Sequence, residues 1–190
     1  MAAAARLACV ASDQRDARAL QRAAAWGLPT LWIDAGTRRG RLPAPREAEL
    51  VEFLRGQRVD LVCLAGFMRL LGEPLLGAFP RAILNIHPAL LPSFPGLEAP
   101  RQAIEHGVKI AGCTVHFVDA GVDTGPIVAQ AAVPVHEDDT AETLAARILV
   151  EEHRIYPHAV RLWAEGRLQV ISRRVVILEP RGGSNLEARS

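Results

Sequence analysis

The chain has 190 residues, a formal net charge of +1 and a hydrophobic content of 49%. This length supports one domain with a substantial core but not two ordinary ones, and the near-neutral charge gives no electrostatic case for binding nucleic acid. Cys9, Cys63 and Cys113 lie in apolar runs without a C-x-x-C spacing, which favours free thiols in a reducing cytoplasm over disulfides or a metal site. No apolar run is long enough for a signal peptide or a membrane span, so neither secretion nor membrane insertion is expected.

The first half of the chain alternates strand and helix patterns. Apolar runs predict strands at residues 6–12, 30–33 and 60–65, and apolar residues at helical spacing predict helices at 13–26 and 46–57. A stretch rich in glycine, proline and arginine at 35–45 predicts a solvent loop. This alternation indicates an α/β domain with a mostly parallel sheet and helices on both faces, in which ligands bind beyond the carboxyl ends of the strands.

The second half predicts a buried strand at 82–84, a short helix at 100–106 and further strands at 114–118 and 127–135. Thr140 begins a long amphipathic helix that extends to about residue 165. Two short apolar runs, 168–171 and 174–178, predict a terminal hairpin. We find no internal repeat and no linker, so residues 1–190 are expected to form a single domain.

A stiff polar stretch follows the central strand. Because strand residues two apart lie on one face, Asn85 and His87 leave the strand end in the same direction. Pro88 holds His87 in an extended conformation, and Pro92 and Pro95 prevent a helix from forming. Rigid polar groups at a strand end are typical of active sites, although an asparagine and a histidine there can also satisfy local backbone groups.

Several segments together resemble the folate-dependent formyltransferases. They are the central stretch 82–96, the strand and loop 61–69, the turn 112–127 and the helical segment 151–157, and in this order they cover roughly residues 6–168. The resemblance implies a single Rossmann-like domain with the formyltransferase fold. It also implies an activity, the transfer of a formyl group from 10-formyltetrahydrofolate to the amine of glycinamide ribonucleotide in de novo purine biosynthesis.

The resemblance assigns catalytic roles to Asn85, His87 and Asp123. In formyl transfer an amine attacks the formyl carbon, the carbonyl oxygen becomes negative in a tetrahedral intermediate, and a proton leaves the attacking nitrogen. Asn85 and a protonated His87 can donate hydrogen bonds to that oxygen. Asp123 can favour the charged imidazole and accept the proton, directly or through one water. Without the resemblance, an aspartate between glycines is typical of a turn-forming residue.

His116 would flank these groups, again by resemblance. His87, His116 and Asp123 have the composition of a metal triad, but a cationic His87 fits formyl transfer better. No metal is therefore expected, and 10-formyltetrahydrofolate is the expected co-substrate.

The two substrates would contact different parts of the chain. Glu152 and Pro88 would bind the nucleotide, with Glu152 holding its ribose hydroxyls. The Leu91–Pro92 peptide bond is expected to be cis, as the resemblance implies. The folate pocket would be formed by Phe67, Met68, Arg69, Leu70, Leu71 and Val118.

Two departures from the family pattern concern the nucleotide side. Glu98 occupies a position where the family usually has a histidine. The family also opens with an apolar strand and a Gly-Ser-Asn loop that binds the nucleotide phosphate, whereas this chain opens at what resembles the second strand. The sequence of residues 175–188 aligns without a gap with the family's opening strand, Gly-Ser-Asn loop and the start of the following helix. We therefore expect Gly183, Ser184 and Asn185 to face the phosphate, the alternative being a hairpin strand with a frayed tail.

Other functions remain open at this point. One is hydrolysis of formyltetrahydrofolate or formylation of another amine, such as a sugar or an aminoacyl-tRNA. Another is a non-catalytic folate-binding protein. For formylation of glycinamide ribonucleotide, the expected partners are the two small molecules, with no nucleic acid and no membrane, and the protein is expected to be a cytoplasmic monomer or homodimer.

Overall fold

The structure, a computed structural model, describes residues 5–36 and 40–180. The strands in these ranges are β1 (Val10–Ser12), β2 (Thr30–Trp32), β3 (Val62–Leu64), β4 (Ile83–His87), β5 (Ile110–Phe117), β6 (Ile127–Pro134), β7 (Leu168–Ile171) and β8 (Arg174–Ile177). The helices are α1 (Arg18–Ala25), α2 (Ala44–Gly56), α3 (Glu73–Ala78), α4 (Ala99–Glu105) and α5 (Ala141–Ala164).

The main sheet has six strands in the order β3-β4-β5-β6-β8-β7. The predicted α/β fold is confirmed, and parallel pairing is found in β1–β2, β3–β4 and β6–β8. The pairs β4–β5, β5–β6 and β7–β8 are antiparallel, and all of their strands lie at residue 83 or later. The short connection between β7 and β8 permits only antiparallel pairing, because a parallel pair needs a long crossover.

The pair β1–β2 is a separate sheet, which does not share strand hydrogen bonds with β3 within the described part of the chain. It nevertheless packs on the main domain, since Ala11 on β1 and Val62 on β3 contact the same hydrophobic cluster. An ion pair of 2.6 Å between Asp13 and Arg69 also joins the end of β1 to the loop after β3. Side chains therefore hold the N-terminal pair in place.

Two hydrophobic clusters lie on opposite sides of β4. Ile83 belongs to the cluster that contains Leu50 of α2 and Leu75 of α3. The next residue, Leu84, belongs to the cluster with Leu144 and other residues of α5. Because successive strand residues point to opposite faces, helices cover both faces of the sheet, as predicted.

Most predicted elements are present, with some differences at their ends. The central strand extends to His87 instead of ending at residue 84, because Asn85 and His87 pair with β5. α3 was not predicted, since it has only six residues and begins with a proline in its first turn. α5 begins where predicted, with Thr140 as its N-cap.

The C-terminal segment is described only in part. The predicted hairpin is confirmed as β7 and β8, and residues 175–177 form part of β8. These residues belong to the segment 175–188, which is proposed to replace the family's opening strand and loop. They pair with β7, because the tight turn at 172–173 places the two strands side by side. Gly183, Ser184 and Asn185 lie outside the described residues.

None of the helices in the described ranges is long and apolar enough to cross a membrane.

Replacing Leu84 by Ala should lower the free energy of unfolding by about 2–5 kcal/mol, because the side chain is fully buried and its truncation leaves a cavity. The matched control is Leu149→Ala on α5, where the leucine is 46% exposed. That change should alter the free energy by less than about 0.5 kcal/mol. Urea titrations of both variants measure the difference, and equal losses would contradict the placement of Leu84 in the core.

Candidate active site

The carboxyl end of β4 and the adjacent part of β5 place four side chains on one face of the sheet. Asn85 is the register partner of His116, and His87 is the partner of Thr114. Partners in an antiparallel pair have their side chains on the same face. Asn85, His87 and His116 therefore lie on one face, as the spacing predicted for Asn85 and His87.

His87 is held between two acceptors. Its ring is buried, and its Nε2–H donates to the carbonyl oxygen of Phe94 at 2.8 Å. Its Nδ1 lies 3.4 Å from Oδ2 of Asp123. A carbonyl and a carboxylate both accept hydrogen bonds, so the surroundings of the ring are complementary to a doubly protonated imidazolium.

Asn85 and His116 form a second contact within the same group. His116 Nδ1–H donates to the Phe117 carbonyl oxygen at 2.8 Å, because that oxygen can only accept. Its Nε2 lies 3.2 Å from Asn85 Nδ2 and 3.6 Å from Asp123 Oδ1. His116 thus lies between the Asn85 amide and the Asp123 carboxylate. It flanks the catalytic candidates, which is the position that the resemblance implied.

A turn between β5 and β6 presents Asp123. The residue has φ +53°, a left-handed conformation that aspartate tolerates better than most residues. Asp119 organises this turn by accepting hydrogen bonds from the Gly121 N–H at 3.0 Å and the Thr124 hydroxyl at 2.6 Å. Asp123 therefore forms the turn and also lies close to both histidines. The turn-forming role and the position beside the catalytic histidine, which were alternatives in the sequence analysis, are compatible.

The Asp123 carboxyl is more acidic than usual. Its burial alone would raise the pKa, but hydrogen bonds from His116 and from the Gly96 N–H, together with the charges of His87 and His116, lower the pKa below its ordinary value. The Gly96 N–H donates to Oδ2 at 2.8 Å. Asp123 is therefore a carboxylate at neutral pH and can stabilise a protonated imidazole.

The segment predicted to bind folate, residues 67–71, is anchored to the loop at 40–42. Leu70 N–H donates to the Gly40 carbonyl oxygen at 3.1 Å, and Arg41 donates to the Leu71 carbonyl oxygen at 2.6 Å. Arg69 extends away to Asp13 and to the carbonyl oxygen of Gly36.

The predicted folate contacts differ in exposure. Met68 is 68% exposed and Leu70 is 40% exposed, whereas the side chain of Leu71 is buried in the core. Phe67 and Val118 are partly buried against the same cluster. Met68 and Leu70 thus offer apolar surface, whereas the side chain of Leu71 does not.

Two of the predicted nucleotide contacts lie on different segments, Pro88 directly after β4 and Glu152 on α5. Pro88 follows His87 directly and lines a small cavity of about 130 Å³ under the loop. Glu152 lies on α5, where burial raises its pKa and the charge of His153 partly opposes that rise. Burial, followed by the charge of Glu152, raises the pKa of Cys113 on β5 to about 12.

Glu98 is exposed and lies 3.3 Å from Arg101 in an ion pair on α4. The Leu91–Pro92 bond is cis, as predicted.

A larger cavity of about 350 Å³, lined in part by Cys63, Tyr156 and Val160, contains none of the catalytic candidates. The candidate active site is therefore identified by the chemistry of its side chains and not by the size of a cavity.

Sequence reasoning missed Thr114 and Gln130 as parts of the site. Both contact the backbone of the loop that follows His87. The available signal was a threonine and a glutamine within otherwise apolar strand patterns. No group of three histidine, cysteine or acidic residues within 5–36 and 40–180 could hold a metal ion.

Residues 2–160 match the model of a family described as formyl transferase. The chain belongs to the formyl transferase family. It is 45% identical to phosphoribosylglycinamide formyltransferase of Bacillus subtilis over 84% of this chain and 80% of that protein. It is also 44% identical to the human trifunctional purine biosynthetic protein adenosine-3, over 85% of this chain but only 16% of that much longer protein.

A solved structure supports the same family. The crystal structure of glycinamide ribonucleotide transformylase 1 from Symbiobacterium toebii is 59% identical in sequence, with a TM-score of 0.85, over 92% of this chain and 81% of that one. The resemblance found in the sequence is thereby confirmed at the level of the family and of the fold.

The acidic Asp123 predicts a specific dependence of stability on pH. A carboxyl whose pKa is lower in the folded than in the unfolded state stabilises the fold above its unfolded pKa, and this stabilisation is lost as pH falls through the folded pKa. The difference in unfolding free energy between the native protein and Asp123→Asn should therefore be largest near neutral pH and shrink below the ordinary value of 3.8. Urea titrations at pH values from about 2.5 to about 7 measure this difference. Asp60→Asn, a change at an exposed aspartate, is the control. A difference that does not depend on pH would refute the role of the Asp123 carboxylate.

Gly125 should not tolerate a side chain. A Cβ there would overlap the Phe117 carbonyl oxygen, which belongs to backbone and cannot move away cheaply. Gly125→Ala should cost about 1–3 kcal/mol of stability and displace the turn that carries Asp123. In Gly77→Ala on α3 the nearest atom to the new Cβ is 3.6 Å away, and a helical alanine is favourable, so its melting temperature should not fall. Thermal unfolding compares the two, and a stable Gly125→Ala would show that the turn is placed incorrectly.

Proposed function

We propose that this protein transfers the formyl group of 10-formyltetrahydrofolate to the amine of glycinamide ribonucleotide, in purine biosynthesis. The observation that carries the proposal is the convergence of Asn85, His87 and Asp123 at the end of β4, in a member of the formyl transferase family. Relatives whose names record this activity match most of the chain.

The geometry fits what formyl transfer requires. The oxygen of the formyl group becomes negative when the amine attacks, and the Asn85 amide and a protonated His87 are donors that can stabilise that charge. The two side chains share one face at the strand end. Because His87 Nε2–H already donates to the Phe94 carbonyl oxygen, a substrate oxygen has to compete with that carbonyl for the proton.

Asp123 contributes in two ways. As a carboxylate 3.4 Å from His87 Nδ1, it stabilises the charged ring that donates to the oxyanion. It can also accept the proton that leaves the attacking amine, directly or through one water. Its lowered pKa makes it a weak base that carries a negative charge beside the imidazole at neutral pH.

On the folate side, the proposal assigns contacts to Phe67, Met68, Arg69, Leu70, Leu71 and Val118. The exposed apolar side chains of Met68 and Leu70 support this assignment, as does the anchoring of the segment by Arg41. On the nucleotide side, the roles of Glu152, Pro88, Gly183, Ser184 and Asn185 remain predictions. A cytoplasmic location is part of the proposal, supported by three free thiols. Sedimentation analysis distinguishes the proposed monomer from the proposed homodimer.

Incubation with 10-formyltetrahydrofolate, with and without glycinamide ribonucleotide, tests the proposed reaction. The expected result is release of tetrahydrofolate only when the amine is present, with formylation of that amine. Release without the amine would indicate a hydrolase instead, and binding without release would indicate a non-catalytic folate-binding protein. Either result would overturn the proposal.

Replacing Asn85 or His87 by Ala should lower kcat by about a hundredfold or more while KM changes much less, because the lost donors act on the oxyanion and not on bound substrate. Steady-state kinetics with both substrates measure the two constants. His136→Ala, at an exposed histidine between β6 and α5, serves as a control for loss of an imidazole. Near-normal kcat in both site variants would remove these residues from the mechanism.

A further inference from the structure

A row of polar residues crosses three strands next to the catalytic group. His87 on β4 is the register partner of Thr114 on β5, and Thr114 is the partner of Gln130 on β6. Since both pairs are antiparallel, the three side chains lie on the same face of the sheet. Formyl transfer as described above uses only the first of them.

The Thr114 hydroxyl is completely buried and uses its full bonding capacity. It donates to the Ala89 carbonyl oxygen at 2.6 Å, and it accepts from the Leu91 N–H at 3.0 Å and from Gln130 Nε2 at 3.0 Å. A hydroxyl has one donor and two acceptor positions, so all three are occupied. Gln130 also donates to the Leu91 carbonyl oxygen at 3.0 Å.

These bonds fix the first part of the loop at residues 88–96, and the end of the same loop contacts the catalytic group. The Phe94 carbonyl oxygen accepts from His87, and the Gly96 N–H donates to Asp123. The loop is therefore the physical connection between the Thr114 hydroxyl and the orientation of both catalytic side chains.

The loop also holds a backbone conformation that needs support. Phe94 has φ +53°, which is uncommon for an aromatic residue and costs of order 1–3 kcal/mol unless the surroundings fix it. Its ring packs at 5.2 Å from that of His106. Contacts at both ends of the loop keep the Phe94 carbonyl pointed at His87.

We propose that Thr114 and, to a smaller extent, Gln130 are positioning residues, which hold the 88–96 loop so that Phe94 and Gly96 orient His87 and Asp123. For its kinetic consequence the inference rests on the proposed formyl transfer. Gln130 has the smaller effect because its side chain is more exposed than that of Thr114, which is fully buried.

The decisive variant is Thr114→Val, which keeps the shape of the side chain and removes the hydroxyl. It should lower kcat by about a hundredfold, as expected for a misplaced catalytic group, with a smaller change in KM. It should also change the pH profile of kcat, since the contact of His87 with Asp123 is altered. Thr114→Ser, which retains the hydroxyl, should recover kcat to within about threefold, and Gln130→Met should show an intermediate loss.

A matched control separates positioning from loss of stability. Val115 is the next residue on β5, is fully buried, and faces the hydrophobic cluster on the other side of the sheet. Val115→Ala should lower the melting temperature at least as much as Thr114→Val but leave kcat and the pH profile unchanged. If Val115→Ala lowers kcat equally, the effect of Thr114 is merely structural and the inference fails.

A second readout does not depend on turnover. In the ¹⁵N-labelled protein, the His87 ring proton bonded to the Phe94 carbonyl should give a downfield NMR signal that shifts or disappears in Thr114→Val and returns in Thr114→Ser. An unchanged His87 signal in Thr114→Val would overturn the positioning role, whether or not the native protein formylates the amine. Absence of formyl transfer by the native protein, with a His87 signal that still responds, would overturn the proposed function alone.

Discussion

The alternation of side chains along β4 is the constraint on which the rest of the structure depends. Ile83 and Leu84 are buried on opposite faces and join the two hydrophobic clusters, so the strand cannot slip by one residue without exposing both. The same alternation continues through the polar residues and fixes Asn85 and His87 on one face. The position of the catalytic group is thus set by the hydrophobic effect, which acts on the residues just before it.

The charged part of the site is arranged so that burial and pairing oppose each other. Placing Asp123 in a partly buried turn is unfavourable for its charge, but two imidazoles and the Gly96 N–H reverse that penalty. His87 in turn faces only acceptors. The surroundings therefore favour the charged state of Asp123, and the fold holds its carboxylate beside the His87 ring before any substrate arrives.

Local patterns predicted the elements well, and contacts between distant residues escaped them. The periodicity of α5 and of the β7–β8 hairpin is contained in short stretches, so both were predicted nearly in full. α3 has too few residues for an amphipathic pattern. The approach of Asp123 to His87 came from family resemblance alone. The bond between Thr114 and Ala89 depends on the antiparallel register of β4 and β5, which no local pattern specifies.

The separation of β1 and β2 from the main sheet has a consequence for how the protein opens. Within the described residues, side chains rather than strand hydrogen bonds join this pair to β3, and the Asp13–Arg69 ion pair is one of those links. Such a unit can unfold at a lower free energy than the whole domain. Arg69 also belongs to the segment proposed to contact folate. A ligand that orders this segment will therefore slow amide hydrogen exchange in β1 and β2 as well. The exchange rates of these two strands then indicate whether the proposed folate site is occupied, although the strands do not line that site.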